Sequence, residues 1–345
     1  MKILGVGRAL PEQVITNRQL EAILDTNDEW IQSRTGIRER RVLGSGTLTG
    51  LALAAAREAL ADAGLSGEDI GLVLVATTMG DYLFPSIASL IQADLNTSCP
   101  AMDLHAACAG FIYALDTADA YIKSNKARHV LIIGAEAITR LADWEDRSTC
   151  VLFGDGAGAV VTGPGEGLLS THLTAQTNPE VLYSMGSPGN CPFTRKPTEA
   201  SKGLKMKGQD VYRYAVIRSA QDLEIVAGEA ELALCDIDWF LLHQANRRIL
   251  DAVRGRLGLK VEKLPSNIYR TGNTSAASIP LLLYELYHAG LLREGQLLAM
   301  SAFGAGLTSG ACVLRWGKAP PEILTPADDL FSLAQNQTTG TTKED

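Results

Sequence analysis

The chain has 345 residues, enough for two domains or one large duplicated domain, because single hydrophobic cores stop growing at roughly 250 to 300 residues. Apolar residues make up 46% and charged residues 20%, which is typical of a globular α/β protein and excludes a disordered or fibrous chain. The formal net charge of -8 argues against a general nucleic-acid binder, which would have to neutralise phosphates over much of its surface.

The cysteines and the first residues indicate the compartment. The six cysteines form no CxxC pair and have no metal-ligand spacing with the five histidines, so we expect neither a metal site nor a disulfide framework. The chain shows no basic region followed by an apolar run at its start, and no apolar stretch of membrane-spanning length. We therefore expect a cytoplasmic protein without a signal peptide that binds neither membrane nor nucleic acid.

The first strong pattern along the chain is a helix over residues 49–64, followed by a turn and an apolar strand over 70–76. The same pattern returns 167 residues later, with a helix over 216–231 and a strand over 237–242. The repeat predicts two copies of one folding unit.

Later elements keep this offset. The strand over 129–134 falls on one over 296–301, and the helix after Cys108 falls on a helix from about 274 to 291. Alternating strands and helices predict parallel sheets covered on both faces, and the duplication predicts two sheets that share a layer of helices. We expect the halves to span residues 1–170 and 171–317, and we interpret the polar stretch 318–345 as a flexible tail.

Cys108 lies after a short apolar strand and at the start of a long amphipathic helix. A helix N-terminus carries a partial positive charge, which favours the reactive thiolate over the thiol. A free cysteine is more often a buried apolar residue, and that is our interpretation of Cys99, Cys150, Cys235 and Cys312. Cys108 alone is thus a candidate nucleophile with a structural alternative.

Two further candidates follow strands of the second copy. His243 ends an apolar strand, where a histidine is more often a packed core residue, and Asn273 precedes a helix, where capping is its ordinary role. Together with Cys108 they form a candidate site, because the carboxyl ends of such strands meet at one place. The order Cys, His, Asn occurs in papain-like hydrolases and in condensing enzymes of the thiolase superfamily. The hydrolase fits less well, because a CGSCW-like sequence is missing.

Six motifs in family order carry a specific resemblance: DEWIQSRTGIRERR (28–41), AACAGF (106–111), DRSTCVLFGDGAGA (146–159), LLHQAN (241–246), GNTSAASIP (272–280) and FGAGLTSGA (303–311). Over residues 1–317 the chain closely resembles β-ketoacyl-acyl-carrier-protein synthase III, a thiolase-superfamily condensing enzyme that starts fatty-acid synthesis. The resemblance implies a thiolase-like duplicated α/β fold of five layers, αβαβα, with two mixed sheets around buried helices.

The resemblance also implies a reaction. Cys108 takes an acyl group from an acyl-CoA, with acetyl-CoA as the default. Malonyl-acyl carrier protein then enters, and N–H groups of His243 and Asn273 hold its thioester oxygen while CO2 leaves. The enolate attacks acyl-Cys108 and gives a 3-oxoacyl-acyl carrier protein. Backbone N–H groups of Cys108 and Ala305 are the implied oxyanion donors for the acyl group, and no metal or cofactor is implied.

Further residues match substrate-binding positions of the family. Phe303 matches the position that shapes the acyl pocket, and Phe84 matches one that reaches from one subunit of a homodimer into its neighbour's pocket. Trp30 and Arg147 match residues that sandwich the CoA adenine. The implied lining of the pantetheine channel is Arg34, Gly208, Gln209, Tyr212 and Asn246. The implied contacts with the acidic carrier protein are Arg213, Gln244, Arg248 and Arg254.

Three positions depart from the family pattern, where a small residue, an asparagine and a tryptophan are usual: His105, Gln209 and Ser309. These departures bear on acyl-chain preference and on affinity for CoA. The starter acyl group stays open because the size of the pocket depends on packing. The nearest alternative is a relative with the same triad that primes or transfers acyl groups in a secondary pathway. Two others are the papain-like hydrolase and a non-catalytic carrier-protein-binding module, which would keep its binding after Cys108→Ala.

Overall fold

The computed structural model describes residues 1–185, 203–321 and 330. Its strands are β1 (Lys2–Ala9), β2 (Val14–Thr16), β3 (Glu39–Arg41), β4 (Leu72–Ala76), β5 (Ala101–Leu104), β6 (Val130–Glu136), β7 (Gly156–Gly163), β8 (Leu168–Ala175), β9 (Leu182–Tyr183), β10 (Lys205–Met206), β11 (Trp239–Leu242), β12 (Leu297–Gly304) and β13 (Thr308–Arg315). Its α-helices are α1 (Asn17–Glu21), α2 (Asp28–Thr35), α3 (Leu48–Ala63), α4 (Ile87–Asp94), α5 (Gly110–Lys123), α6 (Arg147–Cys150), α7 (Gly208–Glu229), α8 (Arg247–Leu257), α9 (Ile268–Thr271) and α10 (Ser278–His288).

Two mixed sheets have matching strand orders. The first sheet runs β1-β7-β6-β4-β5 and the second runs β8-β13-β12-β11, when it is read from the equivalent edge. In both sheets the first two pairings are antiparallel and the third is parallel. Strand β4 starts at residue 72 and β11 at residue 239, which confirms the predicted offset of 167. Among the described strands, β5 has no counterpart in the second sheet.

The helices form three layers around the sheets. Helices α3 and α4 cover the outer face of the first sheet, α5 and α10 lie between the sheets, and α7 and α8 cover the outer face of the second. Successive side chains of a strand point to opposite faces. Leu72 and Leu74 therefore join the central core, whereas Val73 and Val75 pack with α3. The predicted five-layer, thiolase-like duplicated fold is confirmed.

One predicted boundary needs correction, and the predicted flexible tail stays a prediction. The predicted border between residues 170 and 171 falls inside β8, which pairs with β13 in the second sheet, so the second half begins before Leu168. Most of the predicted flexible tail lies outside the described residues. Two of its described residues contact the body of the protein: Lys318 Nζ donates to the Asp62 carbonyl oxygen at 3.1 Å, and Leu330 is 1% exposed. Across the described ranges, no helix combines the length and apolar character needed to cross a membrane.

Strand β1 lies unusually close to α3, and two glycines allow this. A Cβ atom added at Gly5 would lie 2.2 Å from the Ala59 carbonyl oxygen, and one added at Gly7 would lie 2.2 Å from the Ala55 carbonyl oxygen. Real side chains do not approach backbone so closely. The outer layer of the first half therefore depends on hydrogen atoms at these two positions.

We expect Gly7→Ala to lower the free energy of unfolding by roughly 1 to 3 kcal/mol, because the added methyl group must push α3 away. Gly228→Ala in α7 is the matched control, since nothing lies within 4 Å of its Cβ position. Its helix position predicts a gain of roughly 0.5 to 1 kcal/mol. Denaturant titration measures both changes, and equal stability of the two variants would contradict the expectation.

Candidate active site

A cavity of about 1000 Å³ opens at the end of β11, and Cys108, His243 and Asn273 all line it. Cys108 lies in a short 3-10 turn, Ala107–Ala109, which leads into α5. Gly304, the last residue of β12, abuts this turn: a Cβ atom there would lie 2.6 Å from the Cys108 nitrogen. The missing side chain at Gly304 lets the second sheet reach the candidate nucleophile.

A matching turn of the second half faces Cys108. The 3-10 turn Ser275–Ala277 leads into α10 as Ala107–Ala109 leads into α5. Its first residue has a left-handed φ of 50°, and Ala107 has a φ of 47°. The Ser275 hydroxyl lies 3.2 Å from Cys108 Sγ and 2.9 Å from Glu136 Oε1. The two copies of the folding unit therefore touch at the sulfur.

The protonation state of Cys108 differs from our expectation. Burial raises the pKa of the thiol to about 12, the hydrogen bond with Ser275 lowers it, and the negative charge of Glu136 raises it. Desolvation outweighs the stabilisation of a thiolate by the helix start. Burial therefore opposes the thiolate that the helix start was expected to favour, and a thiol must lose its proton during the reaction.

His243 follows β11 and holds a neutral imidazole. Its Nδ1 lies 2.7 Å from Ser278 Oγ, which accepts a hydrogen bond from the Gln244 backbone N–H at 3.4 Å. We assign the serine hydroxyl hydrogen to the bond with Nδ1, an assignment in which Nε2 carries the ring hydrogen. Burial lowers the pKa of His243 to about 3. The ring packs edge-on against Phe303, with centroids 5.4 Å apart.

Asn273 is held at both its backbone and its side chain. Its N–H donates to the Leu152 carbonyl oxygen at 2.8 Å, and its own carbonyl oxygen accepts from the Gly154 N–H at 3.0 Å. The side-chain Oδ1 accepts from the Ser275 N–H at 2.8 Å, so the amino group Nδ2 is the end that faces the cavity. The site thus presents an imidazole N–H and an amide N–H beside a thiol.

The cavity also contains most of the predicted substrate-binding residues: Trp30, Arg34, Gly208, Gln209, Tyr212, Arg213, Asn246, Arg248, Phe303 and Ala305. Arg147 stands over the Trp30 ring at 5.2 Å from its centroid and bonds to Asp25. A planar base between them would require a separation of roughly 7 Å, because each stacking contact needs about 3.5 Å. The predicted sandwich of an adenine therefore requires Arg147 to move away from the Trp30 ring.

Known proteins resemble the chain over almost its whole length. A family model described as 3-oxoacyl-[acyl-carrier-protein] synthase III matches residues 102–177, and a model of the C-terminal part of that family matches residues 228–316. The β-ketoacyl-[acyl-carrier-protein] synthase III of Rhizorhabdus wittichii is 46% identical over 91% of this chain and 98% of that protein. The enzyme of the same name from Bacillus pumilus is 44% identical over 92% and 99%.

The chain belongs to the β-ketoacyl-acyl-carrier-protein synthase III family. Solved structures agree: the synthase III of Aquifex aeolicus superposes with a TM-score of 0.85 at 44% identity, over 91% of this chain and 99% of that one. The priming β-ketosynthase of the R1128 polyketide pathway superposes with a TM-score of 0.87 at 34% identity, over 93% and 97%. The alternative of a papain-like hydrolase is excluded by this fold.

One residue that the family resemblance assigned to contact with a carrier protein does not lie at the surface. Gln244 is fully buried, where its side chain donates to the Leu242 carbonyl oxygen at 2.8 Å and accepts from the Ser266 hydroxyl at 2.7 Å. A side chain enclosed in this way does not contact a protein partner. Gln244 instead braces the loop that carries His243.

Like Arg147 and Gln244, two further predicted residues do not line the cavity. Arg254 is 21% exposed and its Nε faces Asp251 at 4.0 Å, so part of its charge is balanced within the chain. Phe84 is 85% exposed on the surface, next to Leu83 at 98%. Their predicted contacts with a carrier protein and with a second subunit stay predictions. In the described part of the chain, no cluster of three or more His, Cys, Asp or Glu side chains could hold a metal.

Three polar residues of the site were missed by sequence reasoning: Glu136, Ser275 and Ser278. Both serines lie in the GNTSAASIP motif. That motif contributed to the family resemblance, but no role was assigned to its serines. Glu136 ends the otherwise apolar strand β6. A charged residue at the carboxyl end of a buried strand was the available signal, because that edge collects functional groups.

We expect nitrogen NMR of histidine-labelled protein to show His243 as a neutral Nε2–H tautomer at pH 7, with Nδ1 unprotonated. Because burial lowers its pKa to about 3, the His243 signal should stay constant between pH 5 and pH 8. The His243→Gln variant assigns the signal. A titration midpoint near pH 6.5, or hydrogen on Nδ1, would show that the tautomer assignment is wrong.

Proposed function

We propose that the protein joins an acyl-CoA, by default acetyl-CoA, to malonyl-acyl carrier protein in a decarboxylative condensation that starts fatty-acid synthesis. The products are a 3-oxoacyl-acyl carrier protein, CO2 and free CoA. One observation supports the proposal above all. The Cys108 thiol and the N–H groups of His243 and Asn273 lie together in one cavity of a synthase III fold. A thiol forms the acyl intermediate, and the two N–H groups serve the decarboxylation.

In the first half-reaction, Cys108 Sγ attacks the thioester carbonyl carbon and CoA leaves as a thiolate. Negative charge develops on the carbonyl oxygen, and the backbone N–H groups of Cys108 and Ala305 are the proposed donors to it. Gly304 allows this close assembly, because a side chain there would collide with the Cys108 nitrogen. The product is an acyl-cysteine, which makes the mechanism ping-pong.

In the second half-reaction, His243 Nε2–H and Asn273 Nδ2–H donate to the malonyl thioester oxygen. Loss of CO2 places a negative charge on that oxygen, and the enolate carbon then attacks the acyl group on Cys108. Removing one such donor typically costs about 2.7 to 4 kcal/mol of barrier. Neither step requires a metal or a cofactor, since the charge is held by hydrogen-bond donors alone.

The CoA moiety is proposed to enter past Trp30, Arg34 and Arg147. Trp30 and Arg34 line the cavity, and Arg147 stands over the Trp30 ring. Both guanidinium carbons lie 5.2 Å from the Trp30 ring centroid, which is within the distance of a cation–π interaction. The pantetheine arm is proposed to run along Gly208, Gln209, Tyr212 and Asn246. Asn246 Oδ1 accepts from the Arg248 N–H at 2.8 Å, which leaves its amino group for the substrate.

The carrier protein is proposed to dock beside the cavity mouth on Arg213 and Arg248. Both side chains are exposed cavity-lining residues, and neither forms an ion pair with another described residue. Lys205 and Lys207 differ, because Asp143 and Glu180 already pair with them at 2.6 and 3.4 Å. Unpaired cations at the mouth are suited to an acidic partner.

A homodimer and a cytoplasmic location complete the proposal. Tyr82, Leu83 and Phe84 form an apolar loop tip that is 62 to 98% exposed, and a second copy of the chain is the proposed cover. The cytoplasm suits the chemistry because Cys108 must remain a free thiol, and the five described cysteines are all unpaired.

The first experiment is to incubate the protein with acetyl-CoA alone, measure its intact mass, map the adduct, and then add malonyl-carrier protein while CO2 release is followed. We expect one acetyl group on Cys108, which disappears as CO2 is released, and none on Cys108→Ala. Cys235→Ala is the control, because that thiol is exposed and outside the cavity. Absence of an adduct with acetyl-CoA and with longer or branched acyl-CoAs would contradict the proposal.

The same experiment distinguishes a fatty-acid starter enzyme from a priming enzyme of a secondary pathway. The likeness to the R1128 β-ketosynthase supports this second candidate. A fatty-acid starter enzyme should accept the carrier protein of fatty-acid synthesis. Labelling of Cys108 by an acyl-CoA without CO2 release from that carrier protein would favour the secondary pathway.

We expect Arg248→Glu to raise the KM for malonyl-carrier protein about tenfold or more at low salt, with little change in acetyl transfer from acetyl-CoA. An attraction becomes a repulsion at the docking surface, and like charges across an interface are costly. Arg57→Glu in α3 is the matched control, since it makes the same charge change in the outer layer of the first half. The KM difference should shrink as salt is added. Equal KM values for both variants would overturn the docking site.

A further inference from the structure

A fully buried carboxylate lies one hydrogen-bonded step from the proposed nucleophile. Glu136 ends β6 and is 0% exposed. Its Oε1 lies 2.9 Å from Ser275 Oγ, and that oxygen lies 3.2 Å from Cys108 Sγ. Ser275 has a single hydroxyl hydrogen, which can go either to Cys108 Sγ or to Glu136 Oε1. When it is donated to an ionised Glu136, the serine oxygen is open to the hydrogen of the thiol.

The described groups around Glu136 donate hydrogen bonds to an ionised carboxylate, but they carry no positive charge that would neutralise it. Oε2 accepts from the Thr78 hydroxyl at 2.6 Å and from the Thr78 N–H at 3.2 Å, and the Ala276 N–H also donates. Burial nevertheless raises the pKa of Glu136 to about 7. Within the described ranges, no Lys, Arg or His forms an ion pair with it. A buried charge without an ion-pair partner is costly, so this carboxylate readily takes up a proton.

Few of the described groups near Glu136 can exchange a proton with it. Ser275 and Thr78 contribute hydroxyls, and Cys108 is the ionisable neighbour whose pKa responds to the charge of Glu136. Asp155 adjoins Gly156, the strand partner of Glu136, but its carboxylate accepts from Leu43 and Thr139 instead. His243 lines the same cavity and is neutral. The protonation of Glu136 is therefore coupled mainly to that of Cys108.

We propose that Glu136, through the Ser275 hydroxyl, accepts the proton of Cys108 as the thiol attacks, holds it while the acyl-enzyme exists, and returns it when condensation frees the sulfur. The proposal rests on the proposed function for its substrates, but the transfer of the proton concerns the enzyme alone. Glu136 touches no substrate and is a positioning residue that acts through Ser275.

The atoms and charges balance over one cycle. In acyl transfer, the Cys108 hydrogen moves to Ser275 Oγ, the Ser275 hydrogen moves to Glu136 Oε1, a new S–C bond forms, and CoA leaves as a thiolate that takes a proton from water. In condensation, the enolate forms a C–C bond, the acyl S–C bond breaks, and the Cys108 thiolate regains its hydrogen by the reverse path. Glu136 ends the cycle ionised.

The arrangement accounts for a thiol that is not ionised at rest. With the ring hydrogen assigned to Nε2 and Ser278 donating to Nδ1, neither nitrogen of His243 is open to accept the thiol hydrogen. A relay through Ser275 leaves both oxyanion donors in place during proton transfer. The serine is suited to this because the Ser275 N–H also fixes Asn273.

The test measures how fast iodoacetamide alkylates Cys108 between pH 5 and pH 10, by peptide mapping, in the wild type, Glu136→Gln, Ser275→Ala and Glu136→Asp. In the wild type we expect the rate to rise with the ionisation of Glu136 and to level off above pH 7. Glu136→Gln and Ser275→Ala should each react about tenfold or more slowly at pH 7, with rates that keep rising to pH 10. Glu136→Asp should recover part of the rate at pH 7.

Asp119→Asn is the matched control, since it removes another buried carboxylate, which pairs with the chain's N-terminal ammonium at 2.7 Å and lies outside the cavity. Its profile should equal that of the wild type. An unchanged profile in both Glu136→Gln and Ser275→Ala would overturn the relay. Alkylation needs no CoA, so the relay is tested even where acetyl transfer fails. Single-turnover acetyl transfer should show the same order of variants.

Discussion

The contact between the two turns that precede the buried helices is the constraint on which the site depends. Ala107–Ala109 and Ser275–Ala277 meet at the centre of the duplicated fold, with Ser275 Oγ 3.2 Å from Cys108 Sγ. Each turn starts with a left-handed residue, and each is approached by backbone from a strand. A Cβ atom at Gly134 would lie 2.4 Å from the Ala276 carbonyl oxygen, and one at Gly304 would lie 2.6 Å from the Cys108 nitrogen. A nucleophile from one copy is thereby joined to donors from the other.

The equivalent turns of the two halves carry different residues and so have different roles in the site. The first turn places a cysteine after its left-handed residue, and the second places a serine at the left-handed position itself. A hydroxyl at that position reaches across the contact, whereas the equivalent Ala107 presents only a methyl group. Two near-identical turns therefore supply different chemistry, one a nucleophile and the other a group that handles its proton.

The repeat of strands and helices was predictable because both sheets are covered on both faces, so apolar runs and their fixed spacing were visible in the sequence. The positions of Cys108 and His243 after strands β5 and β11 followed from the same repeat. The strand predicted before Asn273 is wrong, because the short helix α9 (Ile268–Thr271) precedes that residue. The ionisation states were not predictable. A helix start favoured a thiolate at Cys108, but desolvation depends on which atoms close over the sulfur, and that is a property of packing. Burial of Gln244 was hidden for the same reason, because a motif does not show which way a side chain points.

The ionisation states together describe a site that carries little charge before substrate binds. Cys108 is a thiol, and His243 is neutral because burial lowers its pKa to about 3. A papain-like pair would instead hold a thiolate and an imidazolium, and that cation would attract the malonyl carboxylate and oppose its loss as CO2. A neutral imidazole donates a hydrogen bond without stabilising the carboxylate as an ion pair. The charge released by decarboxylation can then settle on the thioester oxygen between His243 and Asn273. Neutrality at His243 requires another acceptor for the thiol hydrogen, and the buried carboxylate of Glu136 lies where that acceptor is needed.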